Sequence, residues 1–199
     1  MPLTQYPIME HFPTLQGEGY HSGRSAYFIR LAGCDVGCVW CDVKESWPLE
    51  SGQKYTVDQL INIVGVNDFV VLTGGEPAMH DLSSLTSVLM EKGKYIALET
   101  SGCYTLKGKV DWYTFSPKKF KDPVPEAYEL ANELKIVIYH PSDLEWAKGH
   151  AEKINPDCVC YLQPEWGKKD KLQAQIIEFI HRNPRWKLSL QTHKYLNIP

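Results

Sequence analysis

The sequence predicts a mixed α/β fold in which a mostly parallel sheet forms an incomplete, TIM-like barrel of about six strands. Apolar segments of strand length alternate with amphipathic helical segments, an order typical of parallel strands joined by crossover helices. Polar and glycine-rich motifs directly follow the strands, where parallel α/β folds bind their ligands. The chain of 199 residues is short for a complete eight-stranded barrel, and the connection at 99–112 is too short for a helix. We therefore expect the barrel to remain open.

The first predicted strand, residues 24–31, places Phe28 and Arg30 on one face and the intervening residues on the other. Thr56 is expected to cap a helix that ends at Val64, because apolar residues recur there at helical spacing. Further strands are predicted at 68–72, 95–99, 112–115, 134–138, 158–162 and 187–190, and further helices at 82–91, 143–153 and 169–182.

The composition predicts one domain spanning residues 1–199. Apolar residues make up 43% of the chain, and the net charge of -3 disfavours nucleic-acid binding, which needs a basic surface. No apolar run is long enough to span a membrane, and the N-terminus lacks the pattern of a signal peptide. Because nothing indicates secretion, we expect a cytoplasmic protein whose cysteines are reduced and partly metal-binding.

Three cysteines, Cys34, Cys38 and Cys41, are separated by three and then two residues in a glycine-containing loop. A structural zinc site closes itself with four protein ligands, whereas this triplet has no obvious fourth ligand nearby. The pattern favours an iron–sulfur cluster that leaves one iron open. The alternative is a zinc site whose fourth ligand would be one of three distant residues, His11, His21 or Cys103.

A second motif, residues 73–77, reads Thr-Gly-Gly-Glu-Pro and directly follows a predicted strand. Paired glycines allow a ligand to approach the backbone closely, and Glu76 could accept a hydrogen bond from an ammonium group. Taken alone, the motif is equally compatible with a tight turn that only needs the flexibility of glycine.

Together, the cysteine spacing and the Gly-Gly-Glu-Pro strand end resemble the radical S-adenosylmethionine superfamily. The resemblance implies that the open iron of a 4Fe-4S cluster chelates S-adenosylmethionine and that the glycine motif binds its methionine part. It also implies that reductive cleavage yields a 5′-deoxyadenosyl radical, which abstracts a hydrogen from the substrate. Chemistry of this kind leaves the protein to bind, orient and exclude water.

Three further segments indicate which family within the superfamily the chain resembles. The run Leu-Gln-Gly-Glu-Gly at 15–19, the Ser-Pro-Lys segment at 116–118 and the ending at 191–199 resemble the 7-carboxy-7-deazaguanine synthase family. The resemblance covers essentially the whole chain. It implies a lyase of queuosine and 7-deazapurine biosynthesis that converts 6-carboxy-5,6,7,8-tetrahydropterin to 7-carboxy-7-deazaguanine with release of ammonia.

The family's functional positions carry over to residues of this chain. The cluster ligands implied are Cys34, Cys38 and Cys41, and the S-adenosylmethionine contacts implied are Gly75, Glu76, Ser116, Pro117, Lys118 and Gln163. The substrate contacts implied are Leu15, Gln16, Gly17, Glu18, Arg30, Thr73, His193 and the carboxylate of Pro199. Of these, Arg30 suits the substrate carboxylate, because a guanidinium can bind it with two hydrogen bonds. No protein acid or base need be essential, since the radical is generated on the cofactor.

One position departs from the family pattern. Many members carry a threonine or serine two residues after the last cysteine, where its hydroxyl binds magnesium. This chain has Val43 there, which offers no oxygen, so we expect weak magnesium dependence or none, with Asp42 or Lys44 as substitutes.

The expected partners are a flavodoxin-type or ferredoxin-type reductant and a second copy of the chain in a homodimer. Two alternatives remain open at this point. One is a glycyl-radical-enzyme activase, which shares the cysteine spacing but acts on a protein, and the other is a non-enzymatic iron–sulfur or zinc module.

Overall fold

A computed structural model describes residues 4–199, so the first three residues of the N-terminal segment considered above lie outside it. Within 4–199, one sheet contains nine strands. These are β1 (Gln5–Leu15), β2 (Ser25–Leu31), β3 (Gln53–Thr56), β4 (Phe69–Gly74), β5 (Tyr95–Thr100), β6 (Trp112–Phe115), β7 (Glu133–Ile138), β8 (Val159–Pro164) and β9 (Trp186–Leu188). The α-helices are α1 (Val57–Val64), α2 (Ser83–Glu91), α3 (Pro125–Leu130), α4 (Asp143–Ala151), α5 (Lys169–Arg182) and α6 (Thr192–Leu196).

The strand order is β3-β1-β2-β4-β5-β6-β7-β8-β9, and β2 and β4 through β9 are parallel neighbours. The predicted mixed α/β fold with a mostly parallel sheet is therefore confirmed. Among residues 4–199, the edge strands β3 and β9 do not pair with each other, so the sheet is not closed. None of the helices in that range is long and apolar enough to cross a membrane.

The sheet has nine strands, so the predicted number of about six is wrong. Seven of the nine match the strand segments predicted above, and the two that were not predicted are β1 and β3. Strand β1 pairs antiparallel with both β2 and β3. It contains Pro7 and Pro13 and has an irregular register between Ile8 and Glu10. Proline cannot donate a hydrogen bond to a neighbouring strand, so such a sequence does not read as an interior strand.

The predicted cap of α1 is confirmed. The Thr56 side chain accepts a hydrogen bond from the Gln59 amide at 3.3 Å, and the Gln59 side chain accepts one from the Thr56 amide at 2.8 Å. This reciprocal pair satisfies two amide groups that have no partner inside the helix. It also fixes the turn from β3 directly into α1.

The two faces of the sheet bury different residues, as the alternation in β2 predicts. Ile29 and Leu31 belong to the main core between the sheet and the helices, whereas Phe28 packs with Val71 and Ala97 on the opposite, inner face. Further along the strands, the inner face becomes polar, with buried Thr73, Lys135, Gln163 and other polar residues near the carboxyl ends. Because these strands are parallel, their polar residues face one common space.

Candidate active site

A pocket opens at the carboxyl ends of the parallel strands and brings together residues from the whole length of the chain. All but one of the predicted site residues line it, namely Leu15, Gln16, Gly17, Glu18, Arg30, Cys34, Cys38, Cys41, Thr73, Gly75, Glu76, Ser116, Lys118, Gln163, His193 and Pro199. The exception is Pro117, which is buried beside the pocket and does not line it.

The cysteine loop, residues 33–41, follows β2 and is held by backbone hydrogen bonds. The Cys34 amide donates to the carbonyl of Trp47 at 3.0 Å, and the Val43 amide donates to the Cys41 sulfur at 3.4 Å. Burial raises the pKa of the Cys34 thiol and raises that of Cys38 to about 11. Free thiols of this kind stay protonated at neutral pH, and a bound metal is what would deprotonate them.

The side chains of the triplet pack in one small apolar cluster around Val36, together with Cys103. The other two residues considered as a fourth ligand lie elsewhere. Nδ1 of His11, on β1, lies 2.9 Å from the Tyr27 hydroxyl on β2, and His21 packs against Phe69. Within residues 4–199, no three or more Cys, His, Asp or Glu side chains converge on the position of a single metal ion.

Two glycines allow the end of β4 to lie directly against the cysteine loop. A Cβ atom at Gly74 would lie 2.2 Å from the Leu31 carbonyl oxygen, and one at Gly75 would lie 2.3 Å from the Gly33 carbonyl oxygen. The backbone of Gly74 also has a φ of +143°, which a side chain disfavours. The glycines are therefore required for contact between protein segments, and they leave the turn accessible from the pocket side.

Glu76 connects this turn to the end of β5. One carboxylate oxygen accepts hydrogen bonds from the Ala78 amide at 3.0 Å and from the Thr100 hydroxyl. The other accepts from the Ser101 amide at 2.8 Å and the Ser101 hydroxyl at 2.5 Å. A carboxylate has about four acceptor positions, so the protein already occupies most of the capacity of this buried side chain.

The opposite wall of the pocket is a polar network. Arg30 and Thr73 are neighbours in register on β2 and β4. The Thr73 hydroxyl and the Gln16 side-chain amide each donate to the Glu99 carboxylate at 3.1 Å. Glu18 forms an ion pair of 2.6 Å with Lys135. This wall therefore combines a guanidinium group with two carboxylates that face the pocket.

The C-terminal segment docks on the loop that follows β1. The Thr192 amide donates to the Gly17 carbonyl oxygen at 2.9 Å, and His193 packs so tightly on Gly17 that a Cβ atom there would lie 2.2 Å from its Nδ1. The Thr14 hydroxyl donates to the Pro199 oxygen at 2.9 Å. Burial lowers the pKa of His193, which favours its neutral form.

Residues after β6 and on β8 complete the pocket. The Lys118 ammonium donates to the Ser116 hydroxyl at 2.7 Å, and the Ser116 amide donates to the Thr100 carbonyl oxygen at 2.8 Å. The buried Gln163 side chain accepts a hydrogen bond from the Ser189 hydroxyl at 2.8 Å. These side chains lie on the same rim as the cysteine loop and the glycine turn.

Sequence reasoning missed several polar residues that line the pocket, among them Glu99, Lys135 and Gln191. The available signal was Lys135, a lysine inside an apolar strand, because lysine is rarely buried without a charged partner. Asp42 and Lys44 were the expected substitutes for the missing hydroxyl ligand of magnesium. The Asp42 carboxylate lines the pocket and pairs with Lys194 at 3.0 Å, whereas Lys44 does not line the pocket.

Comparisons with known proteins agree with this geometry. The family described as a 4Fe-4S single cluster domain matches residues 15–138. A protein named 7-carboxy-7-deazaguanine synthase from Flavobacterium psychrophilum is 48% identical, the match covering 97% of this chain and 92% of that protein. One of the same name from Escherichia coli K12 is 38% identical over 98% and 99% of the two chains. The crystal structure of QueE from Escherichia coli superposes with a TM-score of 0.83 and 37% identity, covering 95% of each chain.

Proposed function

The chain belongs to the 7-carboxy-7-deazaguanine synthase family, and we propose on this basis how its pocket binds its ligands and which residues serve the reaction. It is a radical S-adenosylmethionine lyase that converts 6-carboxy-5,6,7,8-tetrahydropterin to 7-carboxy-7-deazaguanine with loss of ammonia. The observation that supports this most directly is the convergence of the cysteine triplet, Arg30 and Glu18 on one pocket. The activase and the non-enzymatic module are not favoured, because relatives over nearly the full length carry the synthase name.

Cys34, Cys38 and Cys41 would hold the 4Fe-4S cluster. The fit is supported by three observations: the cysteine side chains pack in one small cluster, an amide donates to the Cys41 sulfur, and the Gly74-Gly75 turn packs directly against their loop. When bound, the cluster and S-adenosylmethionine together supply the one-electron chemistry that removes a hydrogen atom from the substrate.

The cysteine side of the pocket would bind S-adenosylmethionine. Its proposed contacts are Gly75, Glu76, Ser116, Pro117, Lys118 and Gln163. Gly75 lets the cofactor approach the backbone, while Lys118 and Ser116 offer polar groups on the same rim. Because most acceptor positions of Glu76 are occupied, we propose that it acts mainly by holding the turn in place for the cofactor.

The polar wall would bind the tetrahydropterin through Leu15, Gln16, Gly17, Glu18, Arg30, Thr73, His193 and Pro199. Arg30 donates through Nε to Glu10 at 2.6 Å, which orients the guanidinium for the substrate carboxylate. Glu18 would accept two hydrogens from the amide and amino edge of the pterin. Neutral His193 and the carboxylate of Pro199 would close the pocket over the substrate from the C-terminal segment.

Magnesium dependence is proposed to be weak or absent. Val43 lines the pocket where a hydroxyl would bind the ion, and the nearest alternative, Asp42, is already paired with Lys194. Product formation should therefore change little when magnesium is titrated into reconstituted enzyme and substrate that have been freed of magnesium only. Strong, saturable stimulation would contradict the proposal.

The proposal extends to the barrel, the domain extent, the cellular compartment and the partners. The convergence on one pocket of residues from β1 to β8 and from the C-terminal segment supports an incomplete barrel and a single domain over 1–199. The free cysteines support a reducing, cytoplasmic compartment. A homodimer and a flavodoxin-type or ferredoxin-type reductant are expected from the family resemblance.

The test is anaerobic reconstitution with iron and sulfide, followed by incubation with S-adenosylmethionine, reductant and the tetrahydropterin. We expect 7-carboxy-7-deazaguanine as the product. Cys38→Ala should abolish both the cluster and the product, whereas Cys158→Ala, which removes a core thiol outside the pocket, should retain both. Cleavage of S-adenosylmethionine by the wild type without this product would reject the substrate assignment.

A further inference from the structure

A buried lysine lies between two of the pocket's carboxylates. The Lys135 side chain projects from the inner face of β7 and is 7% exposed. Its Nζ atom lies 2.6 Å from Oε2 of Glu18 and 3.6 Å from Oε1 of Glu99. These three residues come from the loop after β1, from β5 and from β7, so the fold brings them together over long sequence distances.

Both carboxylates are held in place by further donors. The Gln191 side chain donates to the second oxygen of Glu18 at 2.9 Å. Gln16 and Thr73 donate to the two oxygens of Glu99. These hydrogen bonds hold the two carboxylates close to each other. Among residues 4–199, Lys135 is the only cationic side chain within 4 Å of both.

Other titratable groups lie around the centre formed by Lys135, Glu18 and Glu99. Glu133 lies on the same face of β7, and burial raises its pKa. Although burial opposes the charge of Glu18, the Lys135 ammonium holds the pKa of that carboxyl below its usual range. The other charged or titratable groups near this centre are Arg30 on the same wall, Lys118, whose pKa burial lowers, and His193, whose pKa burial also lowers.

Two carboxylates that share a poorly hydrated site do not both ionise unless a cation compensates them. Without Lys135, Glu18 would therefore take up a proton more readily, because the Glu99 carboxylate lies close by with no cation between them. The amide and amino edge of a pterin presents two N–H donors, and it needs an acceptor with two free lone pairs. A protonated Glu18 would present its own O–H group to these donors.

We propose that Lys135 is a positioning residue for substrate recognition, which keeps Glu18 and Glu99 ionised together so that Glu18 accepts both donors of the pterin edge. The proposal rests on the proposed function, because it takes the tetrahydropterin as substrate. Lys135 acts through the carboxylates and need not contact the substrate itself. Its removal should weaken binding of the pterin and leave binding of S-adenosylmethionine unchanged.

The experiment measures binding without turnover. Reconstituted holoenzyme with S-adenosylmethionine and no reductant is titrated anaerobically with the tetrahydropterin by calorimetry between pH 6 and 9. Buffers of different ionisation enthalpy report the protons exchanged. Lys135→Met should raise the Kd of the pterin about tenfold or more at pH 7. As the pH rises, the Kd of the variant should fall back towards the wild-type value. At lower pH, binding of the pterin should release up to about one proton from the variant.

Two variants serve as controls. Lys135→Arg keeps the cation and should retain a Kd that does not depend on pH through these carboxylates. Glu133→Gln removes a neighbouring carboxylate that does not line the pocket, since its partners are the Tyr20 amide and the Trp112 side chain. It should leave the Kd of the pterin unchanged.

The proposal is overturned if the Kd of Lys135→Met does not depend on pH, or if S-adenosylmethionine binding weakens as much as pterin binding. If Lys135→Met does not fold, the double variant Glu99→Gln/Lys135→Met decides. Removal of the repulsion should restore folding, and a double variant that stays unfolded contradicts the electrostatic role. Wild-type enzyme that binds no pterin would reject the proposed function instead, whereas wild-type binding and turnover with no proton linkage in Lys135→Met reject only the role of Lys135.

Discussion

Replacing Glu76 with glutamine should destabilise the fold far more than it weakens cofactor binding. The carboxylate of Glu76 accepts hydrogen bonds from two backbone amides, those of Ala78 and Ser101, and from two hydroxyls. Glutamine offers one oxygen, and its NH₂ group would face an N–H donor on whichever side it is placed. Either orientation therefore leaves one buried amide without an acceptor.

The magnitude follows from these contacts. An unsatisfied buried amide costs about 1–3 kcal/mol, and the loss of charge weakens the remaining bonds by roughly another 1 kcal/mol. We expect a total loss of about 2–4 kcal/mol in the free energy of unfolding. Glu165→Gln is the matched control, because Glu165 also lines the pocket but its side chain accepts a single hydrogen bond within residues 4–199, from the Gly167 amide at 3.0 Å. It should cost under about 1 kcal/mol.

The assay is urea denaturation of the reconstituted protein under anaerobic conditions, combined with the KM for S-adenosylmethionine. A structural role predicts a lower unfolding midpoint and a KM within about threefold of wild type for the fraction that remains folded. Direct recognition of the cofactor ammonium by Glu76 predicts the reverse pattern. Unchanged stability with a strongly raised KM would therefore refute the reasoning.

Three further predictions concern the turn, the core and the C-terminal segment. Gly75→Ala should lower iron incorporation and cost about 1–3 kcal/mol, since its Cβ atom would meet a backbone oxygen of the cysteine loop at 2.3 Å. Gly149→Ala in α4, which has open space, should instead gain up to about 1 kcal/mol, and equal losses in both variants would contradict this. Burial lowers the pKa of His150 to about 4, so the folded protein prefers it neutral. Its contribution should be complete above pH 6.5 and decline as the pH falls towards 4, a loss of about 2 kcal/mol at pH 5. A denaturation series against pH should show this slope, and His150→Phe should flatten it. Residues appended after Pro199 should raise the KM of the pterin and not that of S-adenosylmethionine, and unchanged kinetics would remove its carboxylate from the site.

The elements that sequence reasoning found are those with strong local signals. The capping pair of Thr56 and Gln59 is separated by only two residues, and the prediction of α1 was correct. The parallel strands have apolar runs bounded by glycine or proline, and they were found with small errors at the ends. Strand β1 was missed because Pro7 and Pro13 obscure its pattern, although its neighbours on both sides complete its pairing.

The parts of the site that escaped prediction depend on contacts between distant residues. Glu18 and Lys135 are 117 residues apart, and Glu76 and Ser101 are 25 apart. Their meeting is determined by strand order and register, which no local pattern encodes. A lysine within an apolar strand could have indicated that a buried acid lies opposite, but it could not indicate which one.

The end of β5 links the two halves of the pocket. Glu99 faces the inner network with Thr73 and Gln16, while the next two residues, Thr100 and Ser101, hold Glu76 beside the cysteine loop. Strands β4 and β5 are locked in register by pairs such as Leu72 and Leu98. Since a shift of one residue would exchange the faces of a strand, this register sets the distance between the proposed cofactor side and the proposed substrate side. Transfer of a hydrogen atom between two bound molecules requires close and constant separation, and small displacements reduce its rate strongly. We therefore expect the hydrogen-bonded end of β5 to affect the reaction through the alignment of the two ligands, in addition to the effect of Glu76 on stability.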